Sequence, residues 1–110
     1  RVLAFGNAIC CPSVSYDLSA LNGFKFDEKL KGNLDWIAWY QIGKMKGSFV
    51  YVDKPLMCHR IHEESETSII IGDNARSKED YEMFCKFWPK SIAKVLSKVY
   101  AKSEKSNETK

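Results

Sequence analysis

Ser48-Phe49-Val50-Tyr51-Val52 is the clearest strand signal in the chain. β-Branched and aromatic residues suit a pleated backbone, and Gly47 before and Asp53-Lys54-Pro55 after bound the run. It predicts a sheet. Upstream, Ala8 to Tyr16 reads as a second extended segment, which Pro12 restricts to an edge or breaks. Phe24 and Phe26 alternate with polar neighbours between the turn signals Asn22-Gly23 and Gly32-Asn33, so a short strand or turn fits there. Downstream, Leu56 to His62 resumes an extended run, and Glu63 to Ser68 forms a polar loop or a helix start. Ile69-Ile70-Ile71 suits either strand or helix.

Helical signals lie on both sides of this strand-rich middle. Asn33 or Asp35 can cap a helix running to about Met45. Trp36, Ile37, Trp39 and Tyr40 place apolar groups on more than one side, which predicts burial over much of its circumference. Ser77 caps a further helix, with Asp80 three residues on as in a capping box. Tyr81, Phe84, Cys85 and Trp88 form its stripe, and Pro89 ends or kinks it. A last helix covers residues 90 to about 103. Its apolar face is Ile92, Val95, Leu96, Val99 and Tyr100, its polar face Lys90, Lys94, Lys98 and Lys102, and Ser103 to Lys110 should fray.

The 110 residues make one domain of modest core, and 45% apolar composition excludes disorder over the whole length. No apolar run reaches the roughly 18 residues of a membrane span. The net charge of +3 is too small to argue for nucleic acid. It is concentrated at the end: six lysines face only Glu104 and Glu108 after residue 89. Cys10, Cys11, Cys58 and Cys85 form no Cys-x-x-Cys pair and read as reduced, mostly buried thiols of a cytosolic protein. Arg1 opens the chain without a methionine or signal-peptide pattern, which suggests a piece of something longer.

Three constellations can carry chemistry. Asp35 at the start of an aromatic helix is either a cap or a general base for a hydroxyl. His59-Arg60-Ile61-His62 is the densest polar cluster. Arg60 and His62 share one face of an extended run, followed by Ser65, Thr67 and Ser68, a set of donors suited to phosphate. It is otherwise a solvated strand end. His62 is also a candidate metal ligand, and Cys58, His62 and Cys10 or Cys11 would be a zinc set, although buried unliganded thiols fit the spacing better. Trp36, Trp39, Tyr40, Phe84 and Trp88 could stack on a sugar, but at helical spacing they read as core.

Taken in order, Gly6-Asn7, Ile9 to Val14, Phe26-Asp27-Glu28, Leu34-Asp35-Trp36 with Trp39, Gly47 to Val52, Pro55-Leu56 and Arg60-Ile61-His62 with Ser65 and Ser68 resemble the C-terminal half of a bacterial-type family 2 glycosyltransferase of the GT-A fold. The resemblance covers residues 6 to about 68. It implies an α/β fold (α+β for the isolated piece) of few strands and three main helices. Residues 1–68 would be the acceptor-side part of the catalytic domain and residues 69–110 a helical extension packed on it. It implies an enzyme of polysaccharide biosynthesis that moves a sugar from a nucleotide-sugar to an acceptor hydroxyl with inversion. Asp35 would be the base, and Arg60 and His62 would lie at the donor diphosphate. The family's acidic pair is Leu34-Asp35 here, and its Asp-x-Asp metal motif is absent.

The resembled enzyme would use a divalent metal (Mn or Mg) when full length, with none expected in this piece, which alone would be inactive. Its partners would be the nucleotide-sugar and a sugar or lipid-linked acceptor, with no nucleic acid. The location implied is cytoplasmic, with peripheral contact at the inner face of the membrane left open, and the piece could self-associate. The alternative reading is a non-enzymatic binding module that docks through its basic C-terminal helix.

Overall fold

Three tryptophan indoles tie the N-terminal segment of this chain to its helices. In the computed structural model, which describes residues 1–30, 32–60 and 74–108, Trp36 Nε1 donates to the Leu3 carbonyl at 3.0 Å, Trp88 Nε1 to Ala4 at 2.7 Å and Trp39 Nε1 to Ile9 at 3.3 Å. An indole N–H buried with its ring needs an acceptor. Here backbone carbonyls of the opening residues supply it. Two 3₁₀ turns, Val2–Ala4 and Cys11–Ser13, shape that segment.

Among the described residues four helices follow: α1 (Leu18–Leu21), α2 (Leu34–Ile42), α3 (Asn74–Cys85) and α4 (Lys90–Glu108). Asp17 caps α1 by accepting from the Ser19 and Ala20 amides. The turn signal at its end is realised, with positive φ at both Asn22 (37°) and Gly23 (81°). In α2, Trp36, Ile37, Ala38 and Trp39 are consecutive and all buried, so the helix is enclosed over much of its circumference as its sequence predicts. The helix ends at Ile42, and tighter turn bonds carry the chain on to Met45.

Asn33 takes the N-cap position of α2, but its side chain does not cap. Glu79 of α3 does the equivalent work from a distance: Oε2 accepts from the Gly32 amide at 2.9 Å and the Asn33 amide at 3.1 Å. A carboxylate is favourable there because the helix start carries unpaired N–H groups and the positive end of the dipole. Helix α3 begins at Asn74, so Ser77 lies inside the helix and not at its cap. Asp80 is 1% exposed and accepts from Asn33 Nδ2 at 2.6 Å. Pro89 separates α3 from α4, and its carbonyl accepts the Ala93 amide.

The core lies between α2, α3 and α4. Trp36, Phe84 and Tyr100 meet with centroid distances of 5.2 to 5.7 Å, mostly edge to face. Met83, Ile37 and Ala93 fill around them. A second aromatic group joins Tyr16, Phe24 and Phe26 to Trp39. The tryptophans and Phe84 are thus structural, as their spacing predicts.

Among the described residues there is no strand. The expected α/β or α+β architecture is corrected to an all-helical one. A GT-A domain is built around a central β-sheet, so the resemblance to a family 2 glycosyltransferase does not hold at the level of the fold. The strand-like stretches explain the difference. Residues 11–13 coil into a 3₁₀ turn, and Phe24 and Phe26 sit in a loop held by ring packing. Residues 48–52 are free of helix and turn and, among the described residues, pair with no other segment; their carbonyls and amides enter one backbone bond there, Lys54 N to the Val52 carbonyl. Composition favours an extended backbone there, but a ladder needs a second strand. Ile69 to Ile71 and the loop from Glu63 to Ser68 lie outside the described residues.

Candidate functional site

Asp35 occupies the first turn of α2 and is half-buried. Its Oδ2 accepts from Asn7 Nδ2 at 2.8 Å, and its Oδ1 accepts from the Trp36 amide at 2.7 Å. Asn7 Oδ1 in turn accepts from the Ile9 amide. The carboxylate therefore pins the N-terminal segment against α2, beside the contacts made by Trp36 and Trp39.

The same carboxylate lines a groove of about 340 Å³ with Asn7, Cys10, Cys11, His59 and Arg76. Burial, assisted by the Asp35 charge, raises the Cys11 thiol pKa, with the Tyr16 hydrogen bond acting the other way. Burial also raises the Tyr16 hydroxyl pKa, as do the charge and hydrogen bond of Cys11. Both groups are held in their neutral forms at neutral pH, the opposite of what an activated nucleophile needs.

The structure brings His59 to this groove and leaves Arg60 exposed and outside its lining. His62 lies outside the described residues. The cysteines are free, as expected, but not mostly buried: Cys10 and Cys58 are exposed, Cys11 and Cys85 half-buried.

Among the described residues no group of three or more His, Cys, Asp or Glu side chains could hold a metal ion. Together with the missing sheet, this overturns the reading of the chain as a nucleotide-sugar glycosyltransferase, and with it the enzymatic assignment. Neither the scaffold nor the acidic cluster that such chemistry uses is present in the described residues.

Two exposed features stand out instead. The first is the stretch from residue 48 to 60, every residue of which is exposed. Val50 is 82% and Tyr51 86% accessible, and Phe49, Val52, Leu56 and Met57 are also open. The second is α4, whose expected apolar face splits in two. Ala93, Leu96 and Tyr100 turn toward the core, while Ile92, Val95 and Val99 are left 43%, 61% and 61% exposed. The sequence periodicity could not resolve this split, because the two stripes adjoin on the helix surface.

No family model, curated protein or solved structure matches this chain. The functional reading therefore rests on these surfaces.

Proposed function

We propose that the domain is a non-enzymatic docking module that offers residues 48–57 as an added strand to the open sheet edge of another polypeptide. The observation that carries this reading is a segment outside helix whose apolar side chains are exposed and which, among the described residues, makes a single backbone hydrogen bond, the turn from Lys54 N to the Val52 carbonyl. Once paired as a strand, Phe49 and Tyr51 would project to one side and Val50 and Val52 to the other. A strand apolar on both faces is stable where both are covered, as in the interior layer of a packed sheet.

The other occupants fit less well. A bilayer would leave the segment's amides and carbonyls without partners. A second copy would pair two strands into a ribbon that leaves both faces uncovered. It would also bring like charges together, since Lys44, Lys46, Lys54 and Arg60 flank the segment against the single acid Asp53. The same charges favour a sheet edge bordered by Asp or Glu. Strand addition of this kind draws affinity from main-chain bonds and specificity from alternate side chains.

The test is photo-cross-linking. Benzoylphenylalanine in place of Tyr51, irradiated in the cells that make the protein, should give one dominant adduct, with the cross-links in a strand of the partner. Val50→Asp should lower its yield at least tenfold. Adducts scattered over many proteins, or a yield indifferent to Val50→Asp, would contradict the proposal.

A further inference from the structure

We infer that the outer face of α4 is a second, independent docking surface, and that its partner is an anionic lipid bilayer. Helix geometry sets out the face. At about 100° per residue, Val95, Val99 and Ile92 span roughly 60° of the helix, next to the core-facing Ala93, Leu96 and Tyr100. On the side away from the core, Lys102 and Lys98 follow directly, then Lys94 and Lys90. All four lysines are exposed.

An open aliphatic stripe bordered by lysines is the arrangement of a helix that lies in the plane of a membrane interface. Ile92, Val95 and Val99 would enter the boundary between headgroups and acyl chains. The lysines, on long apolar stems, would reach the phosphates beside them. The backbone objection that applies to residues 48–57 does not arise, because a helix satisfies its own amides and carbonyls. The stripe runs for about 10 Å and the lysines for about 18 Å along the axis, a shallow and nearly straight surface that suits a planar layer of negative charge better than a shaped pocket.

The charge distribution of the chain agrees. Residues 90–110 carry a net +4, while the rest carries −1, so attraction to an anionic surface orients α4 toward it. No helix of the described residues is long and apolar enough to cross the bilayer, so the association would be peripheral. Each lysine near an anionic surface contributes roughly fivefold to partitioning, so losing three should weaken binding on the order of 100-fold.

Vesicle flotation tests the inference. The protein should float at low salt with vesicles of three parts phosphatidylcholine to one part phosphatidylglycerol, and not with phosphatidylcholine alone. Lys94→Gln, Lys98→Gln and Lys102→Gln together should abolish flotation. Val95→Ser with Val99→Ser, which keeps every charge, should weaken it about tenfold. These positions are exposed, and circular dichroism confirms that each variant is folded before it is scored. Absence of flotation with the anionic vesicles at low salt overturns the inference. So does flotation that the lysine changes leave intact, or that the valine changes leave unaltered, since the helix would then not be lying on the bilayer by this face.

Discussion

Gly6→Ala should be among the more damaging single-methyl additions in this protein. Gly6 has φ of +151°, outside the range that residues with a Cβ adopt readily. A Cβ built there would stand 2.8 Å from Tyr100 Cε2 and 3.3 Å from Cδ2. The ring cannot simply swing away, because it is packed against Trp36 at 5.5 Å and Phe84 at 5.7 Å. Overpacking of a well-filled core costs about 1–3 kcal/mol. The unfavourable backbone conformation adds about 1–2 kcal/mol. The sum, about 2–5 kcal/mol, is a large part of the 5–15 kcal/mol typical of a domain. Urea unfolding followed by tryptophan fluorescence measures it. Tyr100→Leu then separates the two contributions. It should be destabilising alone, yet the double variant should be more stable than the sum of the single losses by about 1–2 kcal/mol, because the contact has gone while the backbone strain remains. A loss below about 0.5 kcal/mol for Gly6→Ala, or strict additivity in the cycle, would refute the account of how the N-terminal segment packs on α4.

Other expectations follow from single contacts. Trp88→Phe keeps a ring beside Phe5 but deletes the 2.7 Å bond to the Ala4 carbonyl, and should lower unfolding stability by about 1–2 kcal/mol. Burial raises the Asp80 pKa, with Asn33 and Arg76 partly opposing and Glu79 adding to the rise. The folded state therefore holds the proton more tightly than the unfolded state, and this contribution to stability, complete below the ordinary carboxylate range, is lost as pH rises through the elevated folded value. Asp80→Asn retains an acceptor for Asn33 and cannot ionise, so its stability relative to the parent should increase with pH across that window. A pH series of unfolding curves showing a constant difference would contradict this. Alkylation followed by mass spectrometry should modify Cys10 and Cys58 well before Cys11, whose thiol is half-buried and hydrogen-bonded to Tyr16.

Local preference was legible in the sequence to a greater degree than its use. The enclosed helix from Leu34, the turn at Asn22-Gly23, the stop at Pro89 and the basic final helix all follow from residue type and spacing. What spacing could not convey is long-range pairing. Ser48 to Val52 has the composition of a strand, but whether such a segment becomes one depends on a partner elsewhere. The sheet, the fold class and the glycosyltransferase reading built on it all rested on that missing partner. Helix bounds shifted for a related reason. The start of α2 is satisfied partly by Asp35, which accepts the Trp36 amide, and partly by Glu79 of a different helix, which neighbouring residues do not reveal. Asp80, which resembles the second member of a capping box, is instead a buried partner of Asn33. At the groove, Asp35 was visible as a helix-start acid and His59 as part of a polar cluster. Their convergence with Asn7 and Cys11 depends on the path that Trp36, Trp39 and Trp88 impose on the N-terminal segment, and local sequence has no signal for it.

The central claim is that residues 48–57 are an unpartnered strand awaiting another chain. The most direct test is residue-resolved amide hydrogen exchange over Phe49 to Val52, first in the domain alone and then in complex with the partner identified through position 51. In the domain alone these amides should exchange within about tenfold of the rate of an unstructured chain, because none of them donates a backbone bond among the described residues. In the complex, amides facing the added edge should slow by a factor on the order of 10² or more, in the alternating pattern of an edge-paired strand. Strong protection in the isolated domain would mean that the segment already pairs within its own fold. No protection in the complex would mean that the partner is held by something other than strand addition.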